Sequence, residues 1–112
     1  MKVEYRTNKL KKQCEDPKIA QKDYGAKMGN KLTQRIGELI AATNLLDIKL
    51  IPSARLHKLE GPRAGEYAVD LVHPHRLVFT PILREGEDIN ELESINIVRI
   101  EEVTDYHGKQ KR

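Results

Sequence analysis

Residues 55–82 read RLHKLEGPRAGEYAVDLVHPHRLVFTPI, and the architecture turns on them. Three strand-like runs, 55–60, 66–72 and 76–82, are separated by two segments with turn chemistry. Gly61-Pro62-Arg63-Ala64-Gly65 pairs glycine with proline, and His73-Pro74-His75 is centred on proline. Runs joined this closely form consecutive antiparallel hairpins. In Arg76-Leu77-Val78-Phe79, strict alternation sends Leu77 and Phe79 to one face, and Arg76 and Val78 to the other. A fourth run, 94–104, follows the acidic stretch 85–93, which reads as a solvated loop with one helical turn near Ile89.

Upstream of Pro52 the pattern changes period. KVEYRT, residues 2–7, alternates as a short strand that joins the sheet. Thr7 or Asn8 can cap a first short helix through Asp16, with Leu10 and Cys14 four apart on one face. Asp16-Pro17 is a second helix start, a capping carboxylate followed by proline at the first helical position. Met28, Leu32, Ile36, Leu39, Ile40 and Thr43 then recur at intervals of four and three, the stripe of an amphipathic helix. Gly25 and Gly29 weaken its beginning, and Lys27, Lys31, Gln34, Arg35 and Glu38 take its remaining surface. Asn44 ends it, and 45–48 reads as a brief turn. Helices followed by a run of strands imply an α+β domain, with the helices packed on one face of the sheet.

Composition narrows the function classes. At 112 residues the chain fits one domain spanning 1–112, with 33% charged residues and an aliphatic core that holds one Phe and no Trp. Nothing resembles a signal peptide or a membrane span, and a lone Cys14 cannot close an internal disulfide, so a cytoplasmic location is the expectation. Scattered His and one Cys give no zinc spacing, so no metal and no cofactor is expected. The net charge of +3 hides an asymmetry. Residues 1–35 carry 10 Lys/Arg against 4 Asp/Glu, a balance of +6. Residues 81–112 carry 5 against 8, a balance of −3. The basic third reads either as a solvated helix face or as an electrostatic footprint for a polyanion.

Several polar side chains lie in or beside the strands: His57, Arg63, Arg76 and the terminal Asp105, Tyr106 and His107. Each alone is most simply a surface residue. Together they suit phosphoryl transfer. His titrates near neutrality, Tyr and Asp exchange or orient protons, and the Arg fork binds phosphate oxygens. No Ser or Cys elbow and no Gly-rich phosphate loop competes, and nothing marks Cys14 as a nucleophile. One face of such a sheet can stay open, and side chains from several strands could converge there.

An ordered set of these segments resembles a known family. Arg55-Leu56-His57-Lys58-Leu59-Glu60-Gly61, Arg63-Ala64-Gly65, Tyr67-Ala68-Val69-Asp70-Leu71, Arg76-Leu77-Val78-Phe79 and Val103-Thr104-Asp105-Tyr106-His107 look like the HigB toxins, the plasmid-maintenance-killer branch of the RelE/ParE superfamily. The resemblance covers nearly the whole chain. It implies a RelE-like curved antiparallel sheet with N-terminal helices against one face. It also implies a toxin that cuts mRNA in the ribosomal A site without metal or cofactor. His57 matches the family's sheet-end histidine, Arg76 its phosphate-contacting arginine, Asp105 and Tyr106 its terminal acid and phenol, and His107 follows as in the family. The implied partners are the ribosome, mRNA and a helix-turn-helix antitoxin, HigA-like, through which operator DNA is bound.

One position departs from the pattern. HigB proteins commonly carry Lys three residues after the strand histidine, and here that position is Glu60. A carboxylate cannot neutralise a phosphate, so Lys58 and Arg63 are the candidates for the missing charge. Two other readings share the fold: a ParE-type toxin that poisons gyrase, and a catalytically silent antitoxin-binding member.

Overall fold

The computed structural model describes residues 1–105. The chain enters as strand β1 (Lys2–Tyr5), then runs through helices α1 (Asn8–Glu15), α2 (Pro17–Tyr24), α3 (Ala26–Ala41) and the short α4 (Leu45–Lys49). Strands β2 (His57–Lys58), β3 (Tyr67–Asp70), β4 (His75–Pro81) and β5 (Ile97–Asp105) follow. These residues form one five-stranded sheet in the order β1-β5-β4-β3-β2.

The helix starts follow the capping chemistry. Thr7 caps α1, its hydroxyl accepting from the Leu10 amide at 3.1 Å. Asp16 caps α2, accepting from the Lys18 amide at 2.9 Å, with Pro17 just inside. Gly25, at φ 86°, makes the sharp entry into α3. Gly29 does not break α3. A Cβ there would sit 2.8 Å from Ala20 C and from Gln21 N and Cα, so the glycine lets α2 and α3 approach at backbone distance. Residues 45–48, read as a turn, belong to α4, and Asn44, read as the end of the long helix, caps α4 instead, α3 ending at Ala41. Ile40 departs from its stripe and is 51% exposed.

The strands β2 to β5 run antiparallel, but β1 pairs with β5 in parallel, Val3 opposite Val98 and Tyr5 opposite Ile100. The sheet is therefore mixed. The hairpin argument fixes direction only for strands joined by short turns. Between β1 and β5 lies most of the chain, and either direction is open to such a pair.

The two faces of the sheet differ. Tyr67, Val69, Leu77, Phe79, Val98 and Ile100 join Leu10, Met28, Leu32, Ile36, Leu39, Leu45 and Ile48 in the main core. The other face carries only a small buried set, Leu59, Ala68 and Val78. A β-bulge aligns β5 with this division. Phe79 pairs with Ile100 and Val78 with Glu102, leaving Glu101 as the extra residue. Without it, Ile100 and Val103 would fall on opposite faces, whereas both pack on the helix-side core. Glu101 is buried among donors: Thr80 Oγ1 at 2.7 Å and Arg99 Nε at 2.9 Å reach its carboxylate, and Arg6 Nε donates to its carbonyl at 2.9 Å.

Arg35 is not on the surface of α3. It is 2% exposed, and its guanidinium donates to the carbonyls of Asp70 (2.7 Å) and Ser53 (2.8 Å) and to Glu38 (2.9 Å). Periodicity marks which side of a helix a residue takes. It carries no sign that bare carbonyls wait opposite, and those carbonyls make a buried guanidinium tolerable here.

Candidate functional site

The candidate site is built by register on the sheet face away from the helices. His57 pairs with Ala68, and Ala68 with Val78, which pairs with Glu102. Two residues along, Asp70 pairs with Arg76 and Arg76 with Thr104. Side chains two apart on a strand share a face. His57, Asp70, Arg76, Glu102 and Thr104 therefore belong to one polar surface, with β2 and β4 about 10 Å apart across it.

His57, Asp70 and Glu102 are each held by a described partner. His57 is half-buried, and its Nδ1 lies 2.7 Å from the carbonyl of Arg55. A carbonyl oxygen only accepts, so Nδ1 carries a proton, and in the neutral form of the ring Nε2 then holds the lone pair. Asp70 receives a fork from Arg55, Nε to Oδ2 at 2.7 Å and Nη2 to Oδ1 at 3.1 Å. Arg76, in the middle of this end of the sheet, is partly buried between Asp70 on β3 and Thr104 on β5. Neither Arg55 nor Asp70 stood out as functional in the sequence. Their one signal was placement, Arg55 just after Pro52 and Asp70 at the end of a strand opposite Arg76.

The other candidates are placed differently. Asp105 pairs with His75, one residue beyond the Arg76–Thr104 pair. The alternation of the pleat puts it on the other side of the sheet from Arg76, at the same end. Tyr106 and His107 lie outside the described residues. Lys58 is exposed and pairs with Tyr67, and its ammonium donates to Asn90 Oδ1. It shares with His57, Lys49, Tyr67, Asn90 and Leu92 a shallow pocket of about 250 Å³. Two lysines thus border the histidine at the β2 edge. Glu60 is exposed, just before the turn Gly61–Arg63.

Arg63 is committed to carboxylates. Its Nε meets Glu66 Oε1 at 2.7 Å and its Nη2 meets Glu102 Oε2 at 2.7 Å. Partial burial works against its charge, but these two carboxylates outweigh that and raise its pKa. Its partners lie on either side of Val78, so Arg63 spans the small apolar set of this face rather than standing ready for a phosphate. Cys14 is buried, and burial foremost, with the Glu15 charge second, pushes its thiol up to about 12, which leaves it un-ionised at neutral pH. Among the described residues, no three His, Cys, Asp or Glu side chains gather as a metal site. No helix of the described chain is long and apolar enough to cross a membrane.

Neither a protein-family model nor a curated protein matches the sequence. Solved structures do match. A YoeB/ParE toxin from Agrobacterium tumefaciens is 15% identical, aligns over 95% of this chain and 99% of its own, and superposes with a TM-score of 0.54. The fold is that of a YoeB/ParE toxin. At this identity the likeness is one of fold. It agrees with the RelE-like architecture that the ordered motifs imply, with helices on one side and a polar sheet face on the other.

Proposed function

We propose that this chain is the toxin of a type II toxin–antitoxin pair, of the HigB branch, and that it cleaves mRNA held in the ribosomal A site. The observation that carries this reading is the polar row on the sheet face, where His57 on β2 and Arg76 on β4 face the same side, with the Arg55–Asp70 fork on the strand between them. The ordered motif set and the toxin fold support it.

The reaction is a transesterification. The RNA 2′-hydroxyl attacks its own 3′ phosphate, and the 5′ oxygen leaves. Arg76 stabilises the charge that builds on the phosphoryl oxygens. His57, with its lone pair on Nε2, exchanges a proton with the 2′-hydroxyl or the leaving oxygen. Tyr106 and His107 supply the remaining proton and placement roles, and Asp105, at the same end of the sheet but across the pleat from Arg76, an orienting or accepting one. Lys58, with Lys49 beside it, offers positive charge where Glu60 withholds it. The lysines of residues 1–35 dock the protein on ribosomal RNA. A helix-turn-helix antitoxin, HigA-like, holds the toxin silent and carries the pair to its operator DNA.

The test is mRNA integrity in a translating extract. Ribosome-dependent cuts are expected with the native chain, and more of them with Glu60→Lys, by about tenfold for one added phosphate contact near 1.4 kcal/mol. Intact mRNA with arrested replication on expression would instead mark a gyrase poison. Intact mRNA with unaffected growth would mark a silent antitoxin-binding chain.

A further inference from the structure

Among the described residues, Arg55 is the non-glycine residue with positive φ, at φ 46° and ψ 55°. The left-handed region is costly for an L-residue and persists where the surroundings over-determine it. Glycine takes it freely, so a side chain at this position earns its place by what it touches. Among its contacts with described residues, three tie Arg55 in place. Its amide donates to the Pro52 carbonyl at 3.1 Å. Its guanidinium forks onto Asp70 at 2.7 and 3.1 Å. Its own carbonyl accepts from His57 Nδ1 at 2.7 Å.

These contacts form one chain of constraint. Buried Arg35 fixes the Asp70 backbone through its carbonyl, at 2.7 Å. The Asp70 carboxylate holds the Arg55 guanidinium. The left-handed turn of Arg55 aims its carbonyl at the imidazole, and a right-handed or extended residue 55 would aim it elsewhere. For stability alone such an ion pair does little, because the Arg55 side chain is 57% exposed.

We propose that Arg55 is a positioning residue: its fork on Asp70 holds the left-handed turn whose carbonyl fixes His57 as the Nδ1–H tautomer and so commits Nε2 to proton exchange. Fixing the tautomer stands on geometry. Its consequence for cleavage rests on the ribonuclease reading above.

Two variants separate the parts. Arg55→Gly keeps the left-handed turn accessible and removes the fork. Arg55→Lys keeps the charge as a single point contact. Long-range ¹⁵N spectra at about pH 8, above the ordinary imidazole pKa of about 6.5, read the tautomer directly, with His57→Gln assigning the signals. The native chain is expected to show a protonated Nδ1 and an unprotonated Nε2. In Arg55→Gly the two shifts move towards each other, with Arg55→Lys between, while thermal unfolding stays close to native. Cleavage in the translating extract falls by about tenfold to a hundredfold in Arg55→Gly, the size of loss expected for a misplaced reacting group. Native nitrogen shifts in Arg55→Gly would overturn the positioning role. Altered shifts with undiminished cleavage would overturn its catalytic consequence. If the native chain cleaves nothing, the ribonuclease reading fails, and the nitrogen shifts alone decide whether Arg55 fixes the ring.

Discussion

Phe79 and Val78 are consecutive on β4, both fully buried, and packed on opposite sides of the sheet. Phe79 stacks with Tyr67 (centroids 6.3 Å apart) inside a core that reaches all four helices. Val78 belongs to a small satellite with Leu59 and Ala68, spanned by the Arg63 ion pairs and flanked by His57, Arg76 and Asp70. One face of the sheet holds the molecule together. The other is left to polar side chains, among them His57, Asp70 and Arg63, held by hydrogen bonds or ion pairs. A protein of this size has little apolar surface to spare, and concentrating it on one face leaves the opposite face open to a ligand.

The contrast can be broken most severely at β4 itself. Phe79→Ala should cost about 4 kcal/mol of stability and Val78→Ala about 2 kcal/mol. Equal shifts in the urea midpoint would mean that the satellite carries as much of the core as the helix side. The helix layer offers a sharper test of opposite signs. Gly29→Ala forces α2 and α3 apart and should destabilise by about 2 kcal/mol. Gly37→Ala, on the same helix with nothing within 4 Å of the new methyl, should stabilise by about 0.5–1 kcal/mol. Thermal denaturation of the pair reads both, and a stable Gly29→Ala would contradict the backbone-distance packing.

The smallest effect is a pH slope. Cys14 ionises near its ordinary 9.0 when unfolded but is pushed up to about 12 in the fold, chiefly by burial. Tyr5, raised by burial and by Glu15, acts in the same direction. The unfolded chain therefore loses its protons first, and stability is full below about pH 9 and falls as the pH rises towards 12. Cys14→Ala should flatten that decline in stability between pH 8.5 and 10 on the same grounds, by roughly 1 kcal/mol at the upper end. An unchanged slope would place the titration elsewhere.

Much of the helix layer was legible because its signals are local. Thr7 and Asp16-Pro17 state their caps in sequence, and Leu77 and Phe79 state their face by alternation, whereas Asn44, read as the end of the long helix, instead starts α4. What depends on partners distant in the chain was not. Arg35 looked like a surface residue because the carbonyls that bury it belong to residues 53 and 70. The parallel β1–β5 pair and the backbone contact at Gly29 are likewise non-local. The bulge had a sequence signal, the slip of phase from Ile100 to Val103, which alternation alone does not convert into an extra residue.

The site was legible in part for the same reason. His57 and Arg76 were marked by residue type, and the register brings them to one face. Asp105 shares their end of the sheet but lies across the pleat from Arg76. Lys58 and Arg63, marked by charge, are found engaged with Asn90 and with two carboxylates. Arg55 went unmarked because its role lies in a backbone angle and a carbonyl, which residue type does not reveal.

The most direct measurement compares mRNA cleavage by the native chain and by Arg76→Ala in a translating extract, with thermal unfolding of both. The division of the sheet into a supporting face and a working face predicts near-native melting and a loss of cleavage of about 10²–10³-fold. Cleavage undiminished in a folded Arg76→Ala protein would contradict it.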